Sequence, residues 1–226
     1  MRTAAIAVLL SLILALPSFP ASQTPRPYVF GLNINMSDRE CKLAKAAGCT
    51  CVRIGCGWDL VEKEPGVYDF SEPDRDVAQC IKYGFEPFFL VVATPKFYLA
   101  EEMRDKPWAW PALPEYYPQA SKFYRTLARR YRGKVKYYEF WNEPNGYSWH
   151  AINHPQDYAL ILKLAYKGLK EGDPNCQVAI GGGSTAPAGR ATITTLRSYT
   201  NLAAATTSTR LRCIRIGWTA PSTSTG

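Results

Sequence analysis

The strongest constraint on this chain is a beat in which short apolar runs alternate with amphipathic stretches. Residues 28–34 read as a strand, and 37–47 as a helix that opens on Ser37-Asp38 and stops at Gly48. A second strand over 50–55 precedes a second helix over 73–83, closed by Gly84. The third strand, 85–93, is apolar almost throughout, as expected of a parallel strand covered on both faces. A loop rich in Pro and Trp follows, from Thr94 to about Leu113, and then a helix over 115–131. A fourth strand over 135–141, a helix over 155–171 stopped by Gly172-Asp173-Pro174, and a fifth strand over 177–181 complete five units.

Alternation of this kind builds an α/β fold around a parallel sheet. No nucleotide-type glycine fingerprint accompanies it, which favours a closed barrel over a doubly wound sheet. The expected fold is a partial (β/α)8 TIM barrel of about five βα units in residues 26–187, with an irregular tail over 188–226. A complete barrel takes about 250 residues, and three further units of about 30 residues each do not fit after Gly182.

Composition narrows the function classes. With 46% hydrophobic and 20% charged residues among 226, the chain is neither disordered, collagenous nor a coiled coil. The net charge of +8 suggests a nucleic-acid partner until its location is examined. Arg190, Arg197, Arg210, Arg212 and Arg215 sit in the tail, which has no acidic residue, and Arg2 lies at the amino end. Little surplus remains in the middle, so no nucleic-acid partner is expected.

Residues 1–22 read as a signal peptide: Arg2, an apolar run over 4–16 broken by Ser11, then Pro17, Pro20 and small residues through Ser22. The run is too short to span a bilayer. A secreted, extracellular protein is expected, without membrane attachment once the leader is removed.

Export permits disulfides among seven cysteines, and with Cys213 set aside six remain whose pairing the sequence does not choose. Cys49, Cys51 and Cys56 lack paired C-x-x-C spacing, and only two histidines could assist, so thiols or disulfides are expected rather than a metal site.

The tail differs in kind. After Asp173 there is no Asp or Glu, after Lys170 no Lys, and threonine becomes dominant. A Ser/Thr-rich linker would explain the threonines. It would not explain Leu211, Cys213, Ile214, Ile216 and Trp218 among arginines, for which translation in a shifted reading frame is the better account.

Chemistry concentrates in the fourth strand, which runs Tyr137-Tyr138-Glu139-Phe140-Trp141 and ends in Asn142-Glu143-Pro144. Reactive groups of a barrel gather at the carboxyl ends of its strands, so Glu143 is expected at the mouth. A carboxylic acid held against aromatic neighbours is harder to ionise and can donate a proton, as glycosidic bond cleavage requires. Adjacent strand residues point to opposite faces, so Asn142 and Glu143 reach one ligand only if the strand ends or bulges there. Pro144 is the expected stop.

Trp141-Asn142-Glu143-Pro144 at the end of a fourth strand resembles the clan A glycoside hydrolases, retaining enzymes on a (β/α)8 barrel. Residues 57–70, from Gly57-Trp58-Asp59 through Glu64-Pro65-Gly66-Val67-Tyr68-Asp69-Phe70, look like the loop after the second strand in the cellulase-like and β-xylosidase-like branches. The likeness covers about Val29 to Gly183. It implies that Glu143 is the catalytic acid/base and Asn142 its sugar-binding neighbour, that the substrate is a poly- or oligosaccharide, and that no cofactor is needed. It also implies a second glutamate, the nucleophile, at the end of a seventh strand. Residues 174–226 contain no carboxylate side chain to fill that role. An open five-strand piece with exposed edges and apolar faces is expected to be poorly soluble and inactive alone.

Glu139 is expected inside the barrel with Arg53 of the second strand as partner, a structural ion pair; an arginine on that strand supports the nucleophile in some branches of the clan, so Arg53 is also kept as a candidate substrate contact. Trp58 and Trp149 are candidate sugar platforms, ahead of Phe97, Tyr98, Trp108, Trp110 and Tyr147. His150 and His154 are read as loop and helix-start residues, and Asn33 and Asn35 as either turn residues or ligand contacts. Three rivals remain: a different enzyme class, such as an isomerase or aldolase barrel, which would need a lysine or metal cluster at strand ends that the sequence does not show; a non-catalytic carbohydrate-binding pseudoenzyme; and a subunit whose missing strands come from a second chain.

Overall fold

A computed structural model describes residues 30–144 and 155–182. The leader, the tail and residues 145–154, with Trp149, His150 and His154, lie outside them.

Five strands form one sheet: β1 (Gly31–Asn33), β2 (Cys51–Gly57), β5 (Glu86–Val92), β6 (Tyr137–Phe140) and β7 (Gln177–Ile180). Their spatial order is β1-β2-β5-β6-β7, and every neighbouring pair is parallel. Strand order that follows chain order without reversal is the singly wound arrangement of a barrel. The fold is therefore α/β, five βα units of a partial (β/α)8 barrel.

The crossovers carry α1 (Asp38–Ala46), α3 (Ser71–Tyr83), α4 (Tyr117–Arg130) and α5 (Pro155–Gly172). Local chemistry sets their ends. The Glu40 amide donates to the Ser37 hydroxyl at 3.3 Å, capping α1, and Gly84 takes the left-handed conformation (φ 69°) that stops α3. The helices α4 and α5 pack closely, since a Cβ on Gly168 would lie 2.9 Å from the Ser121 carbonyl oxygen and the Tyr124 Cβ.

One element departs from the sequence reading. Residues 57–70, expected as a loop, contain a short helix α2 (Trp58–Val61) and an antiparallel hairpin, β3 (Glu62–Glu64) and β4 (Val67–Tyr68). Its strands are too short and too charged to show an apolar period, and Pro65-Gly66 makes the turn, with Gly66 at φ 80°.

Alternation along the strands divides the molecule. Val52, Ile54, Phe89, Val91, Tyr138 and Phe140 are buried in the main core against Val77, Phe123, Leu127, Leu162 and Ala165 of the helices. On the opposite, concave face Cys51, Phe88 and Ala179 form a small separate cluster with Tyr137 packed on it. The six cysteines among the described residues are buried free thiols, and burial pushes Cys51, Cys56 and Cys80 up to about 12. Among the described residues no helix is long and apolar enough to cross a membrane.

Candidate active site

The strand β6 ends at Phe140, and the chain turns sharply at once. Trp141 and Glu143 both adopt left-handed backbone, φ 67° and 43°. Bulky residues rarely sit there, so the surroundings must hold them. The Trp141 amide donates to the Val91 carbonyl at 2.9 Å and its indole N–H to the Trp108 carbonyl at 3.0 Å, while the ring is buried beside Phe140. The turn begins three residues earlier than Pro144, the expected stop. It frees Asn142 and Glu143 from strand alternation, and both are half-buried at the carboxyl end of the strand.

Beneath the turn lies the ion pair expected from sequence. Arg53 and Glu139 occupy the concave face, and the guanidinium Nε donates to Glu139 Oε2 at 2.8 Å. Their side chains are 12% and 3% exposed, so neither charge has much water to fall back on. Glu139 Oε1 accepts from the Gly182 amide at 2.9 Å, beyond the end of β7.

Arg53 then does something that sequence did not reveal. Its Nη2 donates to Asn142 Oδ1 at 2.9 Å. A guanidinium only donates, so the amide oxygen of Asn142 must face it and the NH2 must face away. The arginine thus sets the orientation of a donor beside Glu143. Expected as the partner of Glu139 and kept as a candidate substrate contact, Arg53 sits here as the bridge between that buried carboxylate and Asn142.

A third layer backs this turn. Tyr158 of α5 donates its hydroxyl to the Phe140 carbonyl at 2.8 Å and accepts from the Gly181 amide at 3.0 Å. Gly181 is pressed against the turn: a Cβ there would lie 2.5 Å from the Trp141 carbonyl oxygen and 2.9 Å from Pro144 Cδ. Sequence reasoning passed over both glycines, although the run Gly181-Gly182-Gly183 after a strand was a visible sign of close backbone approach.

Trp58 corrects an expectation. It was read as a sugar platform, yet it is 1% exposed and stacked on Phe123 at a centroid distance of 5.3 Å, with Tyr98 at 5.2 Å. Its indole N–H donates to Glu62, a buried carboxylate that also accepts from the Gly66 amide at 2.6 Å and the Tyr98 hydroxyl at 2.8 Å. Trp58 is a core residue that pins the hairpin, and a fully covered ring has no face for a sugar. Tyr98 shares that role; Trp108, by contrast, stands about half exposed.

Around Arg53 the rim opens into a pocket of about 440 Å³, lined by Asn33, Asn35, Gly55, Lys63, Asp69 and Glu72 among others. Apolar Ile34, Met36, Ile54, Leu60 and Val61 line it too, and neither Asn142 nor Glu143 is among its lining residues. No group of three or more metal-ligating side chains occurs among the described residues.

No family model matches this chain. A β-galactosidase of Bifidobacterium bifidum is 29% identical over 130 residues, which is 50% of this chain and 19% of the relative. Among solved structures, a family 39 glycoside hydrolase from Bacteroides cellulosilyticus superposes with a TM-score of 0.61 at 21% identity, covering 76% of this chain and 36% of that one. Endo-glycoceramidase II from Rhodococcus, solved as a lactosyl-enzyme intermediate, gives 0.54 at 17% identity over 70% of this chain and 50% of that one. The fold is thus shared with glycoside hydrolases of the clan A type. The chain spans about a fifth to a half of the length of these relatives.

Proposed function

We propose that this chain is the amino-terminal portion of a secreted, retaining glycoside hydrolase that cleaves poly- or oligosaccharides, with Glu143 as the acid/base. The observation that carries this reading is the Arg53 bridge, which leaves the Asn142 NH2 to donate beside Glu143 at the carboxyl end of β6. In the reaction Glu143 protonates the departing glycosidic oxygen, then takes a proton from the water that releases the sugar. Asn142 donates to a ring hydroxyl, a bond that strengthens as positive charge builds on the sugar. The likeness to glycoside hydrolases over some three quarters of the chain supports the class.

Retaining chemistry places a second carboxylate about 5 Å from the first. Residues 174–226 offer none, and their composition breaks from the rest of the chain. We therefore propose a shifted reading frame from about Pro187 onward, and no turnover by the 226 residues alone. The coding DNA tests this. One of the two other frames should show strand–helix periodicity and a strand ending in Glu. If neither does, the frameshift is wrong, and the missing carboxylate favours a carbohydrate-binding protein without catalysis. Turnover of a glycan by the purified chain would overturn the account of the nucleophile.

A further inference from the structure

Among the described residues β1 is an edge strand that pairs with β2 alone, so the unit of β1 and α1 is held from one side. Its helix leans on α3, and the seam between them can be traced at both ends. Asp38 of α1 accepts from Gln79, Lys82 and Tyr83 of α3. The Lys45 ammonium lies 5.7 Å from the centre of the Phe85 ring and 3.3 Å from the place that a Cβ on Gly84 would take. The bonds to Asp38 are exposed and individually weak.

A cysteine stands on each side of this seam. By helical spacing residues 38, 41 and 45 share one face of α1, and residues 79, 80 and 83 one face of α3. Cys41 and Cys80 are both 0% exposed and belong to the same core. The other thiols among the described residues are placed elsewhere. Cys49 Sγ donates to the Cys51 carbonyl at 3.1 Å, and Cys51 belongs to the small cluster on the concave face. Cys56 is level with Val91 near the top of β5, whereas the Cys80 carbonyl accepts the Phe85 amide at the foot of that strand. Cys176 precedes β7, at the far edge of the sheet. Burial pushes the Cys80 thiol up to about 12, and after burial the group that acts on it most is Cys41, ahead of Cys51 and Cys49.

We propose that Cys41 and Cys80 are a disulfide site, whose one bond staples α1 to α3 and fixes the β1–α1 edge of the sheet. Each thiol gives up a proton, and the pair passes two electrons to the disulfide of an exchange carrier, which leaves as two thiols. Behind the finished seam both sulfurs are buried and poorly nucleophilic, so the bond forms as the chain folds. It closes the loop between residues 41 and 80 and removes that freedom from the unfolded chain. An oxidising compartment rests on the reading of this protein as secreted; the choice of partners does not.

Refolding the 226-residue chain from denaturant in a mixture of reduced and oxidised glutathione tests the pair without depending on export. After free thiols are blocked with N-ethylmaleimide in denaturant, trypsin isolates Cys41 in residues 40–42 and Cys80 in residues 76–82, each without a second cysteine. Mass spectrometry of the monomeric fraction should find these two peptides joined, and separate after reduction. The oxidised monomer should unfold at about 1 M higher urea than the reduced one. In the double variant Cys41→Ala with Cys80→Ala the two conditions should give the same midpoint. Recovery of both cysteines as maleimide adducts, or of Cys80 joined to another cysteine, overturns the site. A joined pair with no change in midpoint overturns the staple. The frame-restored polypeptide yields the same two peptides, so aggregation of the shorter chain does not shelter the proposal. A bond that forms in glutathione but is absent from protein isolated from its native source removes the expectation of export and leaves the pairing standing.

Discussion

The two faces of the sheet are built on different terms. Toward the helices, Phe89, Val91, Tyr138 and Phe140 interdigitate with α4 and α5 in one apolar core. On the concave side the apolar cluster is small, and the space above it is given to Arg53, Glu139 and Asn142. The helix face supplies stability through burial; the concave face holds polar groups at set distances. Strained backbone at Ala93, Trp141 and Glu143 lies at the strand ends where the concave face meets the loops.

This contrast can be broken or sharpened by substitution, with urea unfolding followed by fluorescence at low protein concentration. The largest effect is expected on the helix face: Phe89→Ala should cost about 4 kcal/mol, because the fully buried ring leaves a cavity that the packed helices cannot close. Leu90→Ala, the next residue on the concave side and only partly buried, should cost under about half as much. Equal losses would show that the two faces carry the same load.

Next comes the ion pair. Glu139→Gln leaves the Arg53 charge largely out of water and should cost about 3 kcal/mol. The double change Arg53→Met with Glu139→Met should recover much of that stability. Recovery of stability without oligosaccharide binding would mark the pair as a device for placing Asn142.

A smaller loss, about 2 kcal/mol, is expected for Gly181→Ala, whose new methyl must push the Trp141 carbonyl and Pro144 aside. Ligand affinity should fall with it, since the shift reaches Asn142 and Glu143. The least effect belongs to the rim of the helix layer. Asp38 on α1 accepts from Lys82, Gln79 and Tyr83 of α3, and these bonds hold its carboxyl at about 2, below the ordinary 3.8. Its contribution is complete above the ordinary value and is lost as pH falls from about 4 to about 2. Asp38→Asn should therefore be slightly less stable than wild type at neutral pH and equal to it near pH 2. A difference that persists at pH 2 would show that the bonds do not depend on the charge.

Legibility in sequence followed the same division. The third and fourth strands of the beat were readable because runs such as Phe88-Phe89-Leu90-Val91 admit few other structures. The Arg53–Glu139 pair was readable too, since alternate strands share a layer and two charges facing one interior must meet. The hairpin was not: Glu62-Lys63-Glu64 looks like solvated loop, and Glu62 is buried only because Trp58, Tyr98 and the Gly66 amide converge on it from three places in the chain. Trp58 misled for the same reason. An aromatic residue just after a strand reads alike as core or platform, and Phe123, sixty-five positions away, decides between them. The orientation of Asn142 needed both Arg53 and the early turn at Trp141, neither of which has a local signature.

The central claim is that Glu143 donates the proton. In the frame-restored polypeptide, the rate constant for hydrolysis of an unactivated oligosaccharide should fall by about a thousandfold in Glu143→Gln, while an aryl glycoside whose leaving group needs no proton retains far more of its glycosylation rate. Unchanged hydrolysis of the unactivated substrate by Glu143→Gln would contradict the account.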